Sequence, residues 1–194
     1  MTLSGTWADL TLGYHLVSRL AYVIGVGVAL TMQARHQVFT RRGGIEPGYR
    51  RFRRMASILM NNDGLSFVIL CVVTRHTIHL SLPTVASVAA GIVLALIGVS
   101  IKVWAAMRLG PGAYYWHNFF APGKLVAPDP PGPYRFLKNP MYTLGYLQTY
   151  GLALMFGSWP ALIASAFDQA AILAFHYWVE KPHFDLLTSA SPQS

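Results

Sequence analysis

The chain has 194 residues, of which 54% are hydrophobic and 11% charged, with a mean hydropathy of +0.40 and a formal net charge of +8. So little charge excludes an ordinary soluble domain, and a single cysteine, Cys71, excludes an internal disulfide framework. The apolar runs are long enough for helices that cross a bilayer, which takes about 20 apolar residues each.

In chain order, the first expected span is Tyr14–Met32. No Lys or Arg precedes Arg19 and no small-residue cleavage site follows, so it reads as a retained span rather than a removable signal. The segment 33–57 then carries Arg35, Arg41, Arg42, Arg50, Arg51, Arg53 and Arg54 and reads as a basic loop. Within it, "YRRFRR" (Tyr49 to Arg54) fits either a clamp on lipid phosphates or simple attraction to anionic lipid, about 1 kcal/mol per basic residue. The second span is Leu65–Leu82, led in by the polar Asn61-Asn62-Asp63, and Cys71 within it reads as packing. The third is Thr84–Met107. Met141–Phe156 and Pro160–Val179 form a hairpin, reversed at Gly157-Ser158-Trp159-Pro160.

The fold class is therefore all-α: a polytopic transmembrane bundle of about five spans. Three lie within 1–107, a core occupies 108–187, and 188–194 is a tail. Segment 108–140 adds Arg108, Lys124, Arg135 and Lys138, whereas the opposite loops offer only Arg75. Lys/Arg excess marks the cytoplasmic side, so the N-terminus is expected outside and the C-terminus inside. The same bias accounts for the net charge, and no basic-aromatic nucleic-acid module is visible.

With that orientation, three motif-bearing ends share the cytoplasmic face: "RLGPGAYYWHNFF" (Arg108 to Phe120), "PGPYRFLKNPMY" (Pro131 to Tyr142) and "HYWVEKPHFDLL" (His176 to Leu187). Gly110-Pro111-Gly112 follows a membrane helix rather than a strand, so it is no dinucleotide fingerprint; alone, it reads as a helix stop. Tyr114, Tyr115, Trp116, Phe119 and Phe120 fit an interfacial belt or a ligand wall. His76 and His79 lie on the other face without acidic or sulfur company, and no metal is expected. His176 and Glu180 are four residues apart and share a helix face. Asp168, in mid-span, is open to pairing with Gln169, pairing with Arg19, or a part in chemistry.

"KNPMYTLGY", then "TYGLAL", then "VEKPHF" together resemble the membrane methyltransferases of phospholipids and isoprenylcysteine. The wording is most similar to the fungal-type phosphatidylethanolamine N-methyltransferases, over about Leu109 to Leu187. The resemblance implies S-adenosylmethionine as cofactor, held at the cytoplasmic helix ends. It implies a cradle of the Gly110–Gly112 turn, Tyr115 and Asn139-Pro140-Met141-Tyr142, closed by Glu180. Asn139 stands where His or Arg is common, and Lys181 replaces the second acid of a Glu-Glu pair.

Methyl transfer to an amine is an in-line displacement in which positioning contributes about 7–11 kcal/mol. A cationic donor suits tyrosine and tryptophan faces. Tyr114, Trp116, Arg135, Lys138 and Tyr146 are the expected contacts to a phospholipid substrate, the two cations serving its phosphate or the donor's carboxylate. An ammonium acceptor must lose a proton, for which Glu180, His117 and His183 are the candidate groups. The favoured arrangement has Glu180 holding the acceptor ammonium and one histidine as base. Two alternatives stand beside it. One is methylation of another acceptor such as an isoprenylcysteine carboxylate, for which only Lys181 offers a clamp. The other is a non-catalytic transporter or scaffold, although no internal repeat is found.

Overall fold

The computed structural model describes residues 3–78, 84–121 and 139–190, and its regular structure among these residues is helical throughout. The elements are α1 (Leu3–His36), α2 (Ile45–Val73), α3 (Thr84–Tyr114), α4 (Leu147–Phe156), α5 (Trp159–Phe175) and α6 (Lys181–Ala190). A five-residue π turn, His176–Glu180, joins α5 to α6, and short 3-10 turns lie at His117–Phe119 and Leu144–Tyr146. Among the described residues, four stretches are long and apolar enough to cross a membrane: Gly5–His36, Ile45–Val73, Thr84–Arg108 and Trp159–Leu187.

The boundaries depart from the sequence reading in three places. Segment 33–57 is mostly helix, because α1 continues to His36 and α2 takes up Arg50–Arg54, leaving 37–44 as the connector. Arginine is a good helix former, and the break falls instead at Gly44, whose φ of 80° suits a residue without a Cβ. Next, α3 does not stop near Met107 but runs through Gly110-Pro111-Gly112 to Tyr114. Backbone groups near a membrane are costly to leave unpaired, which favours continuing the ladder. Finally, the expected fourth span is α-helical only over the ten residues of α4, about 15 Å long. The residues before it, 139–146, are tied into turns by Tyr142 N–H and Thr143 N–H to the Asn139 carbonyl and Gly145 N–H to Pro140.

The predicted reversal is present. Gly157 (φ 60°) caps α4, Ser158 caps α5 by accepting from Ala161 N–H, and Pro160 sits in the first turn. Here the α2–α3 connector meets the hairpin: His76 N–H donates to Phe156 O, Ile78 N–H to Gly157 O, and Thr74 pairs with Ser158. At the other end, Phe39 and Tyr49 pack on Phe120, and Phe52 on Trp116. The motif-bearing ends thus gather at one end of the bundle.

Small residues set how closely α4 approaches α3. A Cβ on Gly151 would lie 2.5 Å from Ala95 N and from Gly91 O, and one on Gly98 would strike the Gln148 backbone. Contact at backbone level is how membrane helices pack tightly. Gly98→Ala is therefore expected to destabilise by about 1–3 kcal/mol, the scale of overpacking. Gly13→Ala, inside α1 with nothing within 4 Å, should not lower the thermal midpoint of the detergent-purified protein and, alanine being the better helix former, should raise it slightly.

Candidate active site

Glu180 closes the π turn and is only 5% exposed. Its Oε1 accepts from the Trp116 indole N–H and from the Tyr142 hydroxyl at 2.8 Å. Its Oε2 lies 2.6 Å from His176 Nδ1, which must carry the proton because a carboxylate only accepts. Three motif-bearing segments therefore meet on one carboxylate. Trp116 adopts φ 54°, a strained conformation for a bulky residue of the kind that gathers at functional sites. A π turn at the same place has the same association.

Beside this carboxylate lies a cavity of ≈ 270 Å³, whose walls include Tyr22, Tyr114, Trp116, Met141, Tyr142 and Tyr146. Burial and the neighbouring Tyr115 raise the Tyr114 hydroxyl above its ordinary value, so it is a neutral donor. Arg19, Asp63, Lys102 and Asp168 also line the cavity. Arg19 donates from Nε to Asp168 Oδ1 at 2.8 Å and from Nη1 to Tyr146 OH at 3.2 Å, and its Nη2 pairs with Asp63 Oδ2 at 2.8 Å. His15 bridges Ser66 Oγ at 2.8 Å and both oxygens of Asp168 at 3.2 Å.

Residues 86–187 match the phospholipid methyltransferase family. The chain belongs to that family. Over 145 residues, 73% of its length, it is 32% identical to the phosphatidylethanolamine N-methyltransferases of Aspergillus flavus, Aspergillus niger and Penicillium rubens. It spans only 15%, 13% and 14% of those three relatives, respectively. No solved structure matches the chain.

In this phospholipid methyltransferase-family chain, the expected residues fall into distinct groups. Trp116, Met141, Tyr142, Tyr146, Tyr114 and Glu180 surround or adjoin the cavity. Asn139 and Pro140 shape the turn beneath it through their carbonyls. Gly110 and Gly112 are helical rather than a turn. Tyr115 faces α2, accepting from Ser57 at 3.1 Å with Arg53 over its ring. Lys181 is exposed, bound to Asp185 at 2.6 Å and not among the residues that line the cavity. Arg135 and Lys138 lie outside the described residues.

Neither expected histidine is the partner of Glu180. His183 stacks on Phe119 with centroids 3.7 Å apart, and His117 lies 3.8 Å from Glu46 and edge-on to Tyr49. His176 has that place, and its i,i+4 spacing is the signal that marked it. Of the two pairings open to Asp168, the one with Arg19 is present; Gln169 instead accepts from Tyr150 and donates to the carbonyls of Tyr142 and Thr143. Sequence reasoning missed His15 and Lys102 and placed Asp63 in a lead-in, although charge inside an apolar run is itself a signal.

Arg19→Met should take from Asp63 its one ion pair among the described residues and leave Asp168 with His15 alone, at a cost of about 3–5 kcal/mol. Arg19→Lys should restore little, because one ammonium cannot reproduce a planar fork serving three oxygens. Thermal unfolding in detergent compares the three proteins.

Proposed function

We propose that the chain is an S-adenosylmethionine-dependent phospholipid N-methyltransferase acting on the ethanolamine headgroup of phosphatidylethanolamine, and on its mono- and dimethyl forms, toward phosphatidylcholine. The observation that carries this reading is the buried Glu180 carboxylate, held by Trp116, Tyr142 and His176 against an aromatic-walled cavity. The names of the relatives supply the acceptor class.

The residues fit a cationic cofactor. Tyr and Trp faces attract cations by about 0.5–2 kcal/mol each, and the fixed negative charge of Glu180 adds to this in a site with little water. S-adenosylmethionine supplies a methyl group activated on a sulfonium. Trp116 and Tyr142, both anchored to Glu180, would hold that cation at the outer end of the cavity. Glu180 also fixes the tautomer of His176, so that Nε2 is the acceptor nitrogen and can take the proton an ammonium must release. His176 thus takes the base role that His117 and His183 were expected to fill.

The same reading includes a membrane arrangement. Residues 139–156 make a fifth crossing, with α4 covered by α3 and α5, the N-terminus outside, and the active face cytoplasmic. The gathering of the 37–44 connector with residues 115–121, and of 74–78 with 156–158, supports it. Cysteines placed at Arg42 and Ala121 should label from the cytoplasmic side and one at Arg75 from the outside. Label reaching Arg75 and Arg42 from one side would overturn this topology.

Glu180→Gln keeps an acceptor for Trp116 and Tyr142 while removing the charge. Methyl transfer from labelled S-adenosylmethionine to phosphatidylethanolamine should fall by about two orders of magnitude, the scale of losing a positioned electrostatic group. Stabilisation of the wild type by S-adenosylhomocysteine should rise with its concentration by mass action. Near-normal turnover in the folded variant would remove Glu180 from the site; no stabilisation at saturating ligand would remove the cofactor.

A further inference from the structure

The inner end of the cavity holds a charge arrangement that the Glu180 end does not use. Asp63 is 5% exposed and lines the cavity, yet among the described residues only its Oδ2 is paired, with Arg19. Its Oδ1 is buried with no hydrogen-bond partner among the described residues. A carboxylate oxygen left so is costly, and its cost is relieved by a donor entering the cavity. On the same wall, Lys102 Nζ lies 4.7 Å from the Tyr146 ring centroid and forms no ion pair among the described residues. A carboxylate oxygen without a donor and a cation without an ion pair among the described residues thus line one small space.

A metal ion is the competing occupant, since His15, Asp63 and Asp168 offer ligand atoms within 4.8 Å of one another. Arg19 already stands between the two carboxylates as their cation, at 2.8 Å from each. The unpaired Oδ1 and Lys102 ask instead for a ligand bearing both signs. With His15 neutral, Arg19 and Lys102 balance Asp63 and Asp168, and a ligand group bearing both signs keeps that balance.

We infer that Asp63 and Lys102 form a zwitterion site, in which Asp63 Oδ1 accepts an N–H from a ligand ammonium and Lys102 Nζ meets the ligand's anionic group. The ammonium must carry at least one N–H, because the carboxylate is short of a donor and not merely of a positive charge. Two sources present this chemistry: the phosphoethanolamine headgroup of a lipid and the amino-acid end of the methyl donor. The choice of these probes rests on the methyltransferase reading above. A quaternary headgroup, with no N–H, is a poor ligand, and the site thereby favours acceptor over fully methylated product.

The test is thermal unfolding of the full chain in detergent, for wild type, Asp63→Asn and Lys102→Met. Each is titrated with phosphatidylethanolamine, phosphatidylcholine, phosphatidylglycerol, S-adenosylhomocysteine and methylthioadenosine, which lacks the amino-acid end. Phosphatidylethanolamine should stabilise the wild type, with affinity lower by on the order of thirtyfold or more in both variants, as for a buried charge pair losing one partner. The response to methylthioadenosine should not change, and phosphatidylcholine and phosphatidylglycerol should bind weakly throughout. Selective loss of S-adenosylhomocysteine affinity in the variants would support the site with the donor as its source. Variants that bind both zwitterions as the wild type does would overturn it, leaving Asp63 as a partner of Arg19 alone, and so would a wild type that binds neither. Should Asp63→Asn not fold, Lys102→Met decides. Methyl transfer measured on the same preparations keeps the two readings apart. Turnover with unchanged affinities in the variants sinks this inference only, whereas variant-sensitive zwitterion binding without any methyl transfer sinks the methyltransferase reading only.

Discussion

The Arg19 guanidinium is the interaction around which the bundle is arranged. It reaches from α1 to Asp63 on α2, Asp168 on α5 and Tyr146 in the turn before α4. Such pairs add little net stability, because removing the charges from water costs about as much as their attraction returns. Their consequence is geometric. Nε and the two terminal nitrogens point in fixed directions, so α1 has one rotation and one depth at which all three partners are met. His15, one turn earlier on α1, bonds Asp168 and Ser66 and reinforces that same setting.

From that fixed point the cavity follows. Tyr142 and Tyr146 are four residues apart in the segment before α4, one reaching Glu180 and the other Arg19. The helix that follows, α4, is drawn against α3 by the glycine contacts at Gly91, Gly98 and Gly151, and in the segment itself Gly145 would strike the Lys102 side chain if it carried a Cβ. Gln169 on α5 holds the carbonyls of Tyr142 and Thr143 from the other side. The 139–146 turns are thus clamped between α3 and α5, and the two tyrosines cannot turn away from the cavity without breaking these bonds. An apolar helix in their place would close the space.

Much of this was legible in the sequence, for identifiable reasons. Hydropathy and the Gly-Ser-Trp-Pro corner marked the hairpin because glycine and proline each have a local conformational role. The motifs around Tyr142 and Glu180 carried the family, which the match over residues 86–187 bears out. Helix ends were less legible. Arginines suit a helix as well as a loop, so α2 begins at Ile45 without a compositional signal, and Gly110-Pro111-Gly112 does not end α3. The polar cluster was hidden for another reason: His15, Asp63, Lys102 and Asp168 lie on four different helices, and only tertiary packing unites them. One part of it, the pairing of Asp168 with Arg19, was accessible because an intramembrane acid needs a cation and few are available.

The distribution of charge along the cavity has a bearing on the proposed chemistry. Methyl transfer from a sulfonium to an aminophospholipid brings two cations into one small space. At a separation of 4 Å and an effective dielectric of about 20, their repulsion is about 4 kcal/mol. That repulsion opposes binding of both ligands, and it also drives a proton from the ammonium, which is the step that frees the lone pair. A carboxylate fully neutralising each cation would remove the second effect with the first. The two acids are arranged differently: Glu180 has both oxygens bound by protein donors, whereas Asp63 has one oxygen open. Glu180 can therefore lower the potential felt by the donor without bonding to it, while Asp63 can take an N–H and hold the nitrogen in place. On this account, the cavity keeps enough positive potential to deprotonate the acceptor and enough negative charge to admit both ligands.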